Sequence, residues 1–168
     1  PSPDHSASLR RMSLLPGVRS AVRGVLRYLK EQQFDVVLCG SSSSYNASIA
    51  SKQLTRLPEN KLVLCVGNSS AMWPRARALL EAGEANPFDR LSESAAAHCS
   101  SLLATAGVRS APFLSHKRDP FLVSFQPLAV GCGGGVFHPG THLLLHPRFG
   151  PWAALRFAVV LDADAEEG

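Results

Sequence analysis

Aromatic side chains are scarce in this sequence: eight Phe, two Trp and two Tyr make up 7% of it. A core with so few large rings must be filled mainly by Leu, Val and Ala. Charge is thin as well, at 18% against 45% hydrophobic residues, which excludes an intrinsically disordered chain. No apolar run reaches the roughly 20 residues needed to span a bilayer, and no signal-peptide pattern opens the sequence. The first residue is Pro1 rather than Met, so an upstream targeting segment that has been removed stays open. Cysteine is sparse and widely spaced: Cys39, Cys65, Cys99 and Cys132, with no C-x-x-C pair. Two of them lie inside apolar runs, Val36-Val37-Leu38-Cys39 and Leu62-Val63-Leu64-Cys65-Val66. Buried, reduced thiols are therefore expected, and with them a reducing, cytoplasmic compartment in which the sequons at Asn46 and Asn68 have no consequence.

What is present is enough for one domain. A chain of 168 residues can enclose a single continuous core. The net charge of +4 is mild, but Arg10, Arg11, Arg19, Arg23, Arg27 and Lys30 cluster near the start. That cluster reads either as a solvated helix face or as a surface for an anionic partner. No aromatic interleaving accompanies it, so no nucleic-acid partner is expected.

Along the chain, residues 1–14 read as a flexible Ser- and Pro-containing arm, 15–162 as one domain, and 163–168 as an acidic tail, with fraying expected from Asp162 on. Pro16 suits the first turn of a helix carrying Val18, Val22, Val25, Leu26 and Leu29 at helical spacing. Phe34–Cys39 and Lys61–Gly67 read as strands. Between them, Gly40 and Ser41–Ser44 suggest a flexible link before a short helix from Tyr45 to about Gln53. Asn68, Ser69 and Ser70 offer cap chemistry for a helix around Pro74 that reaches Glu81. Asn86-Pro87-Phe88-Asp89 predicts a second helix, with Asn86 as its cap, continuing to about Ala106. Arg109–Leu114, Phe121–Phe125, Thr141–His146 and Ala154–Leu161 read as further strands, giving an α+β domain in mixed order.

Several clusters invite chemical readings. Gly131-Cys132-Gly133-Gly134-Gly135 does not fit the phosphate-loop pattern G-x-x-x-x-G-K-[ST]. It reads either as a plain glycine turn or as backbone that approaches a flat ligand closely. His138, His142 and His146 recur every four residues, but Pro139, Gly140 and Pro147 oppose a helix. On a strand, His142 and His146 lie roughly 13 Å apart, too far to share a metal ion, so no metal site is expected. Ser41–Ser44 lack a nucleophile elbow, and no catalytic residue can be named. Arg148 and Arg156 sit in an apolar region where a guanidinium needs an anion, supplied by an internal salt bridge, a carboxylate ligand or a phosphate.

These residues also carry a resemblance. His146-Pro147-Arg148-Phe149-Gly150 with Trp152, Ala154 and Arg156, then Ala158-Val159-Val160-Leu161, resembles the central motif of the cobalamin-trafficking proteins defective in methylmalonic aciduria with homocystinuria, type C. Phe34-Asp35-Val36-Val37 with Tyr45-Asn46, Lys61–Val66 with Ala71-Met72, and Asn86-Pro87-x-Asp89 are similar to family elements in the same order. His116-Lys117-Arg118-Asp119-Pro120 resembles its basic dimer loop. The resemblance implies an α+β, flavin-nitroreductase-like fold with a mixed or antiparallel sheet flanked by helices. It implies cobalamin processing by a cyanocobalamin reductase or alkylcobalamin dealkylase, with FMN or FAD as electron source and glutathione as co-substrate. It also implies a second copy, or another cobalamin-trafficking protein, as partner, and no membrane. By the same resemblance, Gly133, Gly134, Gly135, Val136, Thr141, His142, Leu143, Leu144, Leu145, His146 and Arg148 line the corrin pocket, and Arg156 contacts the glutathione carboxylate. The glycine run with Thr141–Pro147 is also similar to part of the epoxyqueuosine reductases, whose ferredoxin-like cysteine clusters this chain lacks. Where the family has His-Val-Ala-Gly, this chain has Leu128-Ala129-Val130-Gly131. Two other readings stand beside the enzyme: a non-catalytic cobalamin chaperone on the same fold, and a flavin-dependent reductase without cobalamin.

Overall fold

The computed structural model describes residues 12–49, 54–117 and 122–167. A short strand β1 (Met12–Ser13) leads into helix α1 (Pro16–Glu31). Proline at its first turn forfeits no hydrogen bond there, and Val22, Val25 and Leu29 form its buried stripe. Next come strand β2 (Val36–Ser41), helix α2 (Ser42–Ser48) and strand β3 (Lys61–Asn68). A single 3-10 turn at Ser70–Met72 opens helix α3 (Trp73–Glu81), which is followed by helix α4 (Pro87–Thr105) and strand β4 (Ser110–Leu114). Helix α5 (Phe125–Gly131) precedes the hairpin of β5 (Val136–His138) and β6 (Leu143–Leu145). The chain closes with β7 (Ala154–Asp164) and β8 (Glu166–Glu167).

The main sheet has the order β2-β3-β7-β4, antiparallel throughout. Both of its faces are covered, which is why β3 and β7 read as unbroken apolar runs rather than as alternating ones. On one face Val37, Cys39, Leu62, Leu64, Phe157, Val159 and Leu161 pack against α1 and α4. On the other, Val36, Leu38, Val63, Cys65, Ala158 and Val160 pack against Tyr45 of α2, Leu128 and Ala129 of α5, and Leu144 of the hairpin. The expected α+β sheet flanked by helices is what the chain forms. No helix among the described residues is long and apolar enough to cross a membrane.

Several expectations need correction. The serine run is no flexible link. Gly40 and Ser41 complete β2, and the Ser41 hydroxyl accepts from the Ser43 N–H as the cap of α2. Ser42 Oγ bonds the Pro58 carbonyl and the Lys61 N–H, and Ser43 Oγ bonds Asn60 Oδ1, so short hydroxyls clamp the following loop. Asn46 completes the clamp, with Nδ2 donating to the Leu57 carbonyl and Oδ1 accepting from the Leu57 N–H. Helix α2 ends at Ser48, short of the expected Gln53, which lies outside the described residues. Phe125 begins a helix rather than ending a strand, since Pro127 is tolerated in a first turn, and residues 122–124 are irregular. Phe121 and Arg118–Pro120 of the basic loop lie outside the described residues. Thr141 and His142 form the hairpin turn instead of a strand, His142 with φ of 54°. Asn86 starts α4 without a side-chain cap, its N–H instead donating to Glu84 Oε1. Finally, Asp162–Asp164 do not fray. They continue β7, Lys61 Nζ reaches Asp162 at 3.2 Å and Asp164 at 2.8 Å, and β8 pairs with β1.

Candidate functional site

The β5–β6 hairpin gathers most of the residues singled out from the sequence. Its pairing is Val136 with Leu145, Phe137 with Leu144, and His138 with Leu143. Side chains alternate along each strand, so Phe137 and Leu144 share one face while Val136, His138, Leu143 and Leu145 share the other. Leu144 is buried in the core, whereas Val136 is 68% exposed, Leu143 44% and Leu145 38%. The outer face is thus an apolar surface open to solvent. The hairpin turn is tied down by the Gln126 amide, which donates to the His142 carbonyl, and by Thr141, whose N–H donates to His138 Nδ1.

The glycine run has internal reasons. Gly133, with φ of 73°, ends α5, and the Gly133 and Gly134 N–H groups close the helix on the Val130 and Ala129 carbonyls. A Cβ on Gly134 would strike the Leu38 side chain, and one on Gly135, with φ of 123°, would strike the Leu145 carbonyl. At Gly134 and Gly135 the close approach read from the sequence is made by the chain's own atoms. Cys132 beneath them is buried, and its thiol is pushed well above its ordinary range by desolvation.

His146-Pro147-Arg148-Phe149-Gly150 closes on itself. The His146 and Gly150 backbones exchange hydrogen bonds of 2.9 and 2.8 Å, and Gly150 takes φ of 57°. The buried His146 ring accepts the Arg148 and Phe149 N–H groups at Nδ1 and stacks on Phe149 at 5.1 Å. Two donors at Nδ1 require its lone pair, so a neutral ring carries its proton on Nε2. The Arg148 guanidinium lies 4.8 Å from the Phe149 ring centroid. His138, His142 and His146 make no common cluster, and no group of three or more metal-ligating side chains occurs among the described residues.

Arg156 stands apart from the hairpin. The β3–β7 register pairs Val66 with Phe157 but Gly67 with Leu155, leaving Arg156 as the extra residue of a β-bulge. Such a bulge re-aims a side chain, and Gly67 allows it because a Cβ there would strike the Ala154 carbonyl. Arg156 turns to the α4 side, where Nε donates to Asn68 Oδ1 at 2.6 Å and the guanidinium lies 4.3 Å from the Phe88 ring centroid. Burial lowers its pKa, partly opposed by the charge of Asp89. Among the described residues no carboxylate lies within salt-bridge distance, and neither Nη donates to a protein acceptor. The internal salt bridge expected as one alternative is therefore not formed by Arg156 among the described residues. Trp73, half exposed, stacks on Phe88 at 6.3 Å and extends the aromatic surface. Asn68, Phe88 and Trp73 escaped sequence reasoning: Asn68 read as a turn residue and Phe88 as a helix start, and only the bulge brings them to Arg156.

No protein-family model and no curated protein matches this sequence. Among solved structures, the fold matches the C. elegans B12-trafficking protein CblC, a human MMACHC homologue. The TM-score is 0.61 at 15% identity, over 84% of this chain and 70% of that one. A likeness at that identity establishes shared architecture: the antiparallel sheet flanked by helices is the nitroreductase-like fold that the sequence motifs implied.

Proposed function

We propose that this protein binds cobalamin against the outer face of the β5–β6 hairpin and processes it by removing the upper axial ligand. The observation that carries the reading is the fold shared with a B12-trafficking protein over most of the chain, with the family-like motif at the base of an exposed apolar hairpin. Val136, Leu143 and Leu145 offer a flat macrocycle an apolar surface that displaces water on contact. The loop from His146 to Gly150, locked by its own histidine, fixes where that surface stands.

Arg156 suits an anionic co-substrate. Its Nε is spent on Asn68 and its plane on Phe88, so the two Nη groups can take a carboxylate side by side. Glutathione carries such carboxylates and a thiol that can accept an alkyl group. Reductive decyanation would instead draw electrons from reduced FMN or FAD, as a co-substrate. The setting is cytoplasmic, and a second copy or another trafficking protein completes the partners of this reading.

A second reading is a non-catalytic cobalamin carrier. It is favoured by the placement of Arg156 on the α4 side of the sheet, whereas the hairpin packs on the α5 side. One titration separates the two. Methylcobalamin is added to the protein, its visible bands are followed, and glutathione is then added. A base-off shift followed by loss of the alkyl species supports processing. A shift that stays unchanged supports the carrier, and no shift overturns both.

A further inference from the structure

We propose that the groove between α1 and α4 is a docking site for an acidic peptide segment of a partner protein. The groove encloses about 640 Å³ and is lined by Ser20, Arg23, Gly24, Arg27, Tyr28 and Glu31 of α1 and by His98 and Leu102 of α4. Arg23 and Arg27 are exposed and make no hydrogen bond or ion pair among the described residues. Glu31 is the one acidic residue on its walls. The acids of α4 that could have neutralised it, Asp89 and Glu93, lie at the other end of the helix and face His116 and Lys117.

The charge is not there for the helix. α1 has no acidic residue in its first turn, although the dipole favours anions at that end and disfavours cations there. Arg23 and Arg27, the eighth and twelfth of its 16 residues, lie outside the first and last turns where the dipole acts, so the dipole gives them no role within the helix. Across the floor the Tyr28 and His98 rings of the two helices pack against each other, tilted by 35° with centroids 4.2 Å apart. Gly24 adds no wall, and nothing lies near its missing Cβ.

Shape chooses the ligand. A small phosphate ester calls for an enclosed site that covers most of its surface, whereas this groove is open along its length. From Ser20 to Glu31 it runs about 16 Å, with Arg23 and Arg27 about 6 Å apart along the axis. Alternate side chains of an extended segment stand about 6.8 Å apart on one face, so Asp or Glu at every second position meets both guanidinium groups. The complementarity is electrostatic and steers encounter more than it adds affinity.

Binding of a fluorescently labelled Asp-Ser-Asp-Ser-Asp-Ser peptide, read by anisotropy at low salt, tests the site. Its Asn-Ser counterpart, inorganic tripolyphosphate and a short single-stranded DNA serve as competing probes. The wild-type protein should prefer the Asp-Ser peptide to the Asn-Ser peptide by roughly tenfold or more, with the preference fading as salt rises. Arg23→Glu with Arg27→Glu should abolish that preference, while the charge-matched pair Arg77→Glu with Arg90→Glu should retain it. If the reversal impairs folding in a thermal melt, Arg23→Gln with Arg27→Gln asks the same question more gently. Equal loss in both pairs, no preference for Asp over Asn, or tighter binding of tripolyphosphate or DNA than of the peptide each overturns the proposal. None of these outcomes depends on cobalamin.

Discussion

The hairpin and the Arg156 corner solve opposite problems. The hairpin exposes apolar side chains and spends its polar groups internally: His146 on two backbone N–H groups, and Gly134 and Gly135 on close packing. The corner does the reverse. It withdraws a guanidinium partly from water, satisfies Nε, and leaves the Nη pair without an acceptor among the described residues. One surface gains by covering apolar area, the other by receiving an anion, and they rest on different layers of the same sheet. A ligand that needs both must reach around the end where β7 begins. That geometry makes the order of events testable, because either region can be disturbed without touching the other.

The largest effect should come from alkali, which acts on both layers. Burial pushes the Cys39, Cys65 and Cys99 thiols up to about 12, against an ordinary 9.0. A folded-state pKa above the unfolded one means this contribution is whole below pH 9.0 and is lost as pH climbs from there toward about 12. The loss is about 1.4 kcal/mol per thiol for each pH unit, and partly buried Tyr28 and buried Tyr45 add to it with the same sign above their own ordinary 10.0. Melting temperature should hold level between about pH 7 and about pH 8.5 and then fall steeply. A melt at about pH 10.5 as high as that at about pH 8 would refute the buried thiols. Alkylation with mass-spectrometric readout sharpens the comparison, since Cys132 packs in the layer of the hairpin's Leu144 and Cys99 is on the buried face of α4 in the other layer. The short hairpin should open first, so Cys132 should label before Cys99.

Gly135→Ala should be next in size and confined to one layer. The substitution puts a side chain into a backbone conformation that L residues rarely adopt, and into the Leu145 carbonyl. Strain of that kind costs about 1–3 kcal/mol before the collision is counted. The melting temperature should drop by roughly 5–10 °C, and the methylcobalamin shift should weaken with it. Alkylation of Cys132, but not of Cys99, should quicken. Equal acceleration at both cysteines would show that the layers are not independent.

How far the sequence foretold this can be judged residue by residue. The helix at Pro16 and the strands around Cys39, Cys65 and Val159 were legible because proline placement and apolar runs are local signals. Ser41–Ser44 misled because short hydroxyls look alike whether they are solvated or clamping a loop. Phe125 was read as strand because a short apolar run fits either period. At the candidate site, the hairpin residues could be named together because they are neighbours in the chain. The Arg156 corner could not be assembled, for Asn68, Phe88 and Arg156 meet only through a register shift between β3 and β7. A bulge has no signature in composition; Gly67 is its one trace, and it reads as the end of a strand.

The smallest effect on stability should come from Asn68→Asp, and it is the most telling about the corner. The change is nearly isosteric: the new carboxylate still accepts from Arg156 Nε where Oδ1 accepted before, and the ion pair so formed offsets the loss of the Asn68 Nδ2 donation to the Ser69 carbonyl. It also supplies a negative charge within salt-bridge distance, where the described residues offer none, so the Arg156 pKa should rise back toward its ordinary value. With its charge met from inside, Arg156 should hold an external carboxylate less firmly. Glutathione affinity, followed by calorimetry, should fall by about tenfold, the scale of one charge-assisted contact of roughly 1.5 kcal/mol. The methylcobalamin shift should be unchanged, because no hairpin residue contacts Asn68 among the described residues. Unaltered glutathione binding would remove Arg156 from the proposed site, and a lost cobalamin shift would show that the corner and the hairpin act as one surface.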